Sequence, residues 1–165
     1  LAARCLGEEE ARLHAVAVAA PVPASEGLAH YITETLACTY ERCASDPLIN
    51  QVVEAIGRER RDVIDAHTKV KLGQIATLLE RGIASEEFDT VDVRETAEAI
   101  LAATVLFDVP LLVQMYAKEE LERVALNVSR MILRSVVRRP QCGTATKLPG
   151  AQGGQTLAKE DAACR

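Results

Sequence analysis

Tryptophan is absent from this 165-residue chain, and aromatic residues make up only 3 % of it. The apolar share is still 48 %, carried mainly by Ala, Leu and Val, so the chain as a whole is not of disordered composition. Ala and Leu favour helix over strand. A surplus of basic residues is missing as well. Lys and Arg number 19 against 24 Asp and Glu, for a net charge of -5. Gripping a nucleic-acid backbone needs clustered cations, so this chain alone is not expected to hold DNA. No apolar run of about 18 residues occurs, and no membrane partner is expected. The five cysteines are irregularly spaced, with no CxxC pair and no even framework, which predicts a reducing, cytoplasmic setting. Nucleophile elbow, phosphate-cradling glycine loop and HExxH are all lacking, and Ser129 and His67 have no evident orienting partner. No catalytic residue, cofactor or enzymatic activity is therefore expected. The first residue is Leu1, with no charged and then apolar leader after it, which reads as part of a longer protein.

What is present is helical periodicity. Six helical segments and a tail are expected, an all-α fold. In residues 2–20, Leu6, Leu13, Val16, Ala17 and Ala20 share one face, and Pro21 and Pro23 end the segment. Ser25 is placed to cap a second helix with a stripe of Leu28, Ile32, Leu36, Thr39, Tyr40 and Cys43. Asp46 followed by Pro47 opens a short third helix with Leu48, Ile49, Val52, Val53 and Ile56 on one face. A fourth covers residues 60–81, and Gly82 is placed to end it. Asp92 and Glu95 form a capping-box-like start to a fifth. From Ala99 to Val109 its only polar residues are Thr104 and Asp108, which predicts a stretch buried on every side, and Pro110 kinks or ends it. In the sixth, residues 118–137, Leu121, Val124, Ala125, Val128, Met131, Ile132 and Val136 make one face, and Leu126, Leu133 and Val137 a second. One small domain rarely buries so much of its last helix. A second copy of the chain would cover the excess, with Leu101, Val105, Val128 and Ile132 as the expected interface. The Gly- and Pro-bearing stretch 140–165 reads as a disordered tail.

The stretch from Thr77 through Glu80, Arg81, Gly82 and Ile83 to Phe88, then Val91 to Ala97 and a very apolar helix, resembles the C-terminal regulatory domain of tetracycline-repressor-type (TetR family) transcriptional regulators. Asp46-Pro47-Leu48 and the closing segment from Glu119 to Val136 are similar too. The resemblance spans residues 26–138. It implies a two-domain, all-helical homodimer in which a missing N-terminal helix-turn-helix domain binds operator DNA. Residues 1–20 would then be the connecting helix, and residues 21–139 the ligand-binding and dimerisation domain. The last two helices would pair with their copies in a four-helix bundle. A small organic effector would favour a dimer whose heads no longer match two half-sites. An alternative is a stand-alone helical dimer that binds a small molecule or protein and never touches DNA.

His67, Lys71, Gln74 and Leu78 follow one another along one line of the fourth helix, beside Ile64, Leu72, Ile75 and Leu79. Their polar groups either hydrogen-bond within the core or orient a ligand. In the resembled family this helix lines a cavity, with the second and fifth helices as further walls. Tyr40, Thr104 and Phe107 are the expected residues across it. Glu10/His14 and Glu26/His30 are spaced to share a metal, as is Glu34 beyond His30, but such pairs are more often solvated contacts, and no metal is expected. The run Arg58, Arg60, Arg61 is interrupted by Glu59 and reads as a solvated helix start. Cys38 and Cys43 cannot pair within one helix, and buried thiols are the default.

Overall fold

The computed structural model describes residues 2–138. The expected tail 140–165 lies outside the described residues. Eight α-helices form among them: α1 (Ala2–Leu13), α2 (Ala24–Ser45), α3 (Ile49–Glu59), α4 (Arg61–Ala84), α5 (Val93–Ala103), α6 (Val105–Asp108), α7 (Pro110–Val113) and α8 (Lys118–Val136). No strand forms among the described residues, and one isolated bridge joins Phe88 to Val137. The all-α expectation holds, with two short helices, α6 and α7, added between the expected fifth and sixth.

The expected first helix does not run unbroken to residue 20. After Leu13 it widens into a π-helical turn over His14–Val18. Arg81 closes the far end of that turn, its Nη1 donating to the Val18 carbonyl at 2.7 Å. This gives a partner to a carbonyl that the helix end leaves open.

Ser25 is not the cap of α2. The helix starts at Ala24, and its first amides are held by a carboxylate from the α4–α5 connection. Ala24 N donates to Glu87 Oε2 at 2.7 Å and Ser25 N to Glu87 Oε1 at 3.0 Å. The Ser25 hydroxyl adds a third hydrogen bond to the same carboxylate. A negative charge at a helix N-terminus is stabilised by the free amides and by the dipole. From there α2 runs through the centre of the molecule, against α8, α4, α6 and α7. Leu28, Ile32, Leu36 and Thr39 of the expected stripe are buried, but so are Tyr31, Thr35 and Cys38 beside it. Tyr40 and Cys43 are only partly covered.

Asp46 accepts from the Leu48 amide at 2.9 Å, and α3 begins just beyond, at Ile49 rather than Pro47. Gly82 does not end α4. The helix passes through it to Ala84, and the ring of Phe88 lies against it. A Cβ at Gly82 would sit 2.1 Å from a Phe88 ring carbon. The backbone then turns back, with Glu86 at φ 58°. The Glu87 and Phe88 amides both donate to the Gly82 carbonyl, at 2.9 and 3.0 Å.

The capping role of Asp92 is present: its Oδ1 accepts from Glu95 N at 2.8 Å. The fifth helix, however, stops at Ala103. The Thr104 amide there reaches both the Ile100 and the Leu101 carbonyl, at 3.1 and 3.2 Å, and the Thr104 hydroxyl adds a bond to Ile100 at 3.0 Å. Nor is the apolar stretch buried on every side within one chain. Ala99, Ala102 and Ala103 are exposed, and Val105 is 50 % exposed. On α8, Leu121, Ala125, Ser129, Ile132 and Val136 face inward, while Leu126 and Met131 stand in the open. The core joins Leu13 and Ala17 to Leu28, Ile32 and Leu36 of α2, Ile75, Leu78 and Leu79 of α4, Ile100, Phe107 and the inward face of α8.

Candidate functional site

Where α4 passes α5 and α6, an open cleft of about 450 Å³ is lined by His67, Thr68, Lys71, Leu72, Glu98, Leu101, Ala102, Val105 and Asp108. Leu72, Leu101, Ala102 and Val105 make an apolar wall. His67, Lys71 and Asp108 make a polar floor. Such a mixture suits a ligand with an apolar body and one or two polar groups.

The floor is the outer edge of a buried ion-pair cluster. Lys71 is only 2 % exposed. Its ammonium lies 2.6 Å from Asp108 Oδ1 and 3.3 Å from Glu9 Oε1. Glu9, on α1, also accepts from Arg42 of α2. His67 Nδ1 is 2.6 Å from Glu10 Oε1, and Gln74 Nε2 donates to the Glu10 carbonyl at 2.9 Å. α1, α2, α4 and α6 are thus tied together by charge. A buried charge without such partners would carry a large desolvation cost. Burial works to raise the pKa of Asp108. The charge and hydrogen bond of Lys71, with His67 and Arg42 behind, outweigh it and hold the carboxyl below its usual range. Tyr31 of α2 shows the reverse: burial, then the charges of Asp108, Glu9 and Glu10, push its phenol well up. Its buried hydroxyl has no hydrogen-bond partner.

Of the residues expected to bind a ligand, His67 and Lys71 reach the cleft. Gln74 is turned to α1 instead. Thr104 is buried, with its hydroxyl spent on its own helix. Phe107 is buried completely in the core. Tyr40 borders a different, smaller hollow of about 130 Å³ with Lys118, whose ammonium sits 5.8 Å from the ring centroid. Of the expected interface residues, Leu101 and Val105 line the cleft wall, Val128 is half-buried, and Ile132 belongs to the chain's own core.

Sequence reasoning missed Glu9, Glu10 and Asp108 as site residues. One signal was present: a carboxylate inside an apolar run needs a buried partner, and Lys71 on an inward line needs the opposite charge. Glu10 pairs with His67 rather than with its helical neighbour His14. Glu26 and His30 form a long, exposed pair at 3.9 Å, and Glu34 is held by Arg12. Glu9, His67 and Asp108 each bring a ligand atom within 4.8 Å of the other two. Cys38 is buried, and burial pushes its thiol to about 11, well out of the reactive range.

Residues 24–128 match the family described as tetracyclin repressor-like, C-terminal domain. The chain belongs to that family. Transcription regulation is the family's business, and the all-helical fold described above is in keeping with it. The matched segment of this repressor-like domain contains α2 to α7, the cleft, Lys71, His67 and Asp108. Glu9 and Glu10 enter the cluster from α1, outside that segment. No helix among the described residues is long and apolar enough to cross a membrane. No curated protein and no solved structure gives a significant match.

Proposed function

We propose that this chain is the effector-sensing and dimerising part of a tetracycline-repressor-type regulator, a repressor released from operator DNA by a small organic ligand. The observation that carries the reading is the open cleft with its apolar wall on α5 and α6 and its charged floor on α4. The floor is tied through Lys71, His67 and Gln74 to α1, the segment that would connect to a DNA-binding domain outside this chain. A ligand that engages Lys71 or Asp108 would change the hold on α1, which supplies the differential contact that linkage needs. Residues 21–139 would form the sensing and dimerisation unit. The protein would act without catalysis and in the cytoplasm.

The exposed apolar side chains of α8, Leu126 and Met131 at 49 and 59 % exposure, support a homodimer through this face, with Leu101 of α5 and Val105 at the start of α6 as further contributors. Four apolar surfaces of this kind would bury one another in a four-helix bundle of two α8 helices and two α5–α6 segments. Two experiments test the reading. A thermal-shift screen of partly apolar organic compounds should yield a binder, and Leu101→Trp, which fills the cleft, should weaken it at least about tenfold, a loss of about 1.4 kcal/mol. A binder whose affinity ignores Leu101→Trp would move the effector site elsewhere. Met131→Glu should turn the dimer into a monomer by light scattering. A dimer of unchanged stability in that variant would remove α8 from the interface.

A further inference from the structure

The position between Glu9 and Asp108 is already a cation site, and a His67 ring nitrogen lies within 4.8 Å of a ligand atom of each. The Lys71 ammonium stands there, hydrogen-bonded to both carboxylates. Lys71 also borders the open cleft, so its flexible stem has room to carry the ammonium outward. His67 is held the way a metal-ligating imidazole is held. The carboxylate of Glu10 at 2.6 Å fixes the ring through Nδ1 and leaves Nε2 for a second partner. The buried Tyr31 hydroxyl lacks a partner, and the charges of Asp108, Glu9 and Glu10 act on it. Charge points the same way. Once Lys71 swings out, Glu9, Glu10 and Asp108 are balanced by Arg42 together with one divalent ion.

We infer that Glu9, His67 and Asp108 bind a divalent transition-metal ion of the zinc type, which displaces the Lys71 ammonium into the cleft. Glu10 orients the imidazole from behind, and a metal-bound water supplies the missing partner of Tyr31. Two carboxylates and an imidazole suit zinc or a neighbouring first-row ion, and the imidazole discriminates against magnesium. Glu9 comes from α1, outside the matched family segment. The inference does not rest on an organic effector.

The test uses zinc chloride on the reduced full chain, read by equilibrium dialysis with metal analysis and by melting temperature before and after chelator. One equivalent should bind per chain and raise the melting temperature reversibly, and magnesium at equal concentration should do neither. Asp108→Asn and His67→Gln should each weaken zinc at least about tenfold, and Glu10→Gln by about tenfold because the imidazole loses the carboxylate that orients it. Lys71→Met, which removes the competing ammonium, should bind zinc more tightly than the wild type; if it folds only when zinc is present, that is the same result in stronger form. The proposal is overturned if the wild type binds no zinc. It is also overturned if both ligand variants keep wild-type affinity, which would assign the ion to cysteines elsewhere, if Lys71→Met binds zinc more weakly, or if magnesium matches zinc.

Discussion

Glu87 caps a helix from which it is separated by more than sixty positions, and this shows how far a residue's role can lie from its local pattern. Ser25 has the right chemistry and position for a cap, yet the amides of α2 find a stronger acceptor in a carboxylate from the turn after α4. The Glu87 carboxyl is pushed up by burial and pulled down further by Ser25, Ala24 and the charge of Arg81, so its pKa lies below the ordinary 4.5. A depressed carboxyl contributes stability that is present above the ordinary value and lost as pH falls through the folded one. Glu87→Gln should therefore cost about 1 kcal/mol at neutral pH, a typical cap loss. The gap between variant and wild type should narrow on acidification below 4.5 in urea titrations across pH. A gap that stays constant with pH would show that the charge of Glu87 does not matter. Gly82 makes a companion case. The sequence placed it as a stop, because glycine after a long helix usually is one. Its real constraint is steric: Gly82→Ala would drive a methyl into the Phe88 ring and should cost about 1–3 kcal/mol. Neither the cap nor the ring contact has a local signature, since each needs a partner brought in by the fold.

Helices, by contrast, were legible because their signals are short-range. The Pro21–Pro23 break, the Asp46 turn, the Asp92 cap and the start of α8 all appear within a residue or two of where periodicity and capping chemistry put them. What periodicity could not reveal was where the backbone tightens and restarts. The break at Thr104 is a tightening of the last turn, where the Thr104 amide reaches both the Ile100 and the Leu101 carbonyl, and it leaves the hydrophobic pattern of α5 untouched. The expectation that Phe107 and Thr104 face a cavity came from the family resemblance, which treats the fifth helix as one unbroken wall. The chain instead stops at Ala103 and restarts as α6, with Phe107 in the core and Val105 beside the cleft. Within α4, Gly73 offers a control for Gly82. It is helical and exposed, and a Cβ there meets nothing within 4 Å. Gly73→Ala should stabilise the protein by about 0.5–1 kcal/mol through helix propensity alone. A loss of melting temperature in that variant would mean that the α4 surface at Gly73 is covered in the folded protein, which would place a partner there.

At the scale of the whole molecule, the ion-pair cluster is the feature that turns separate helices into a device. Apolar burial already joins α1 and the π-helical turn after it to the core through Leu13 and Ala17. The cluster adds Glu9 and Glu10, gripped by Arg42, Lys71, His67 and Gln74 from two other helices. The charged residues of this cluster were readable as residue types, but their pairing joins α1 to α4 and α6 across the fold, and helical patterning carries no such information. Lys71→Met should break the cluster and leave Glu9 and Asp108 facing each other. Removing one partner of a buried pair costs about 3–5 kcal/mol. The loss should fall unevenly. Amide exchange should quicken first in α1, whose polar hold depends on Lys71, and least in α2 and α8, which pack through apolar faces. Acid gives a second handle. Because Lys71 holds Asp108 below its ordinary 3.8, the wild type loses this stabilisation as pH falls through the folded value, whereas the variant is relieved when the stranded carboxyl protonates. The two stability curves should therefore converge below 3.8. Exchange that quickens equally in α1, α2 and α8 would show that the cluster supports the fold at large, and α1 would then have no separate freedom for a ligand in the cleft to act on.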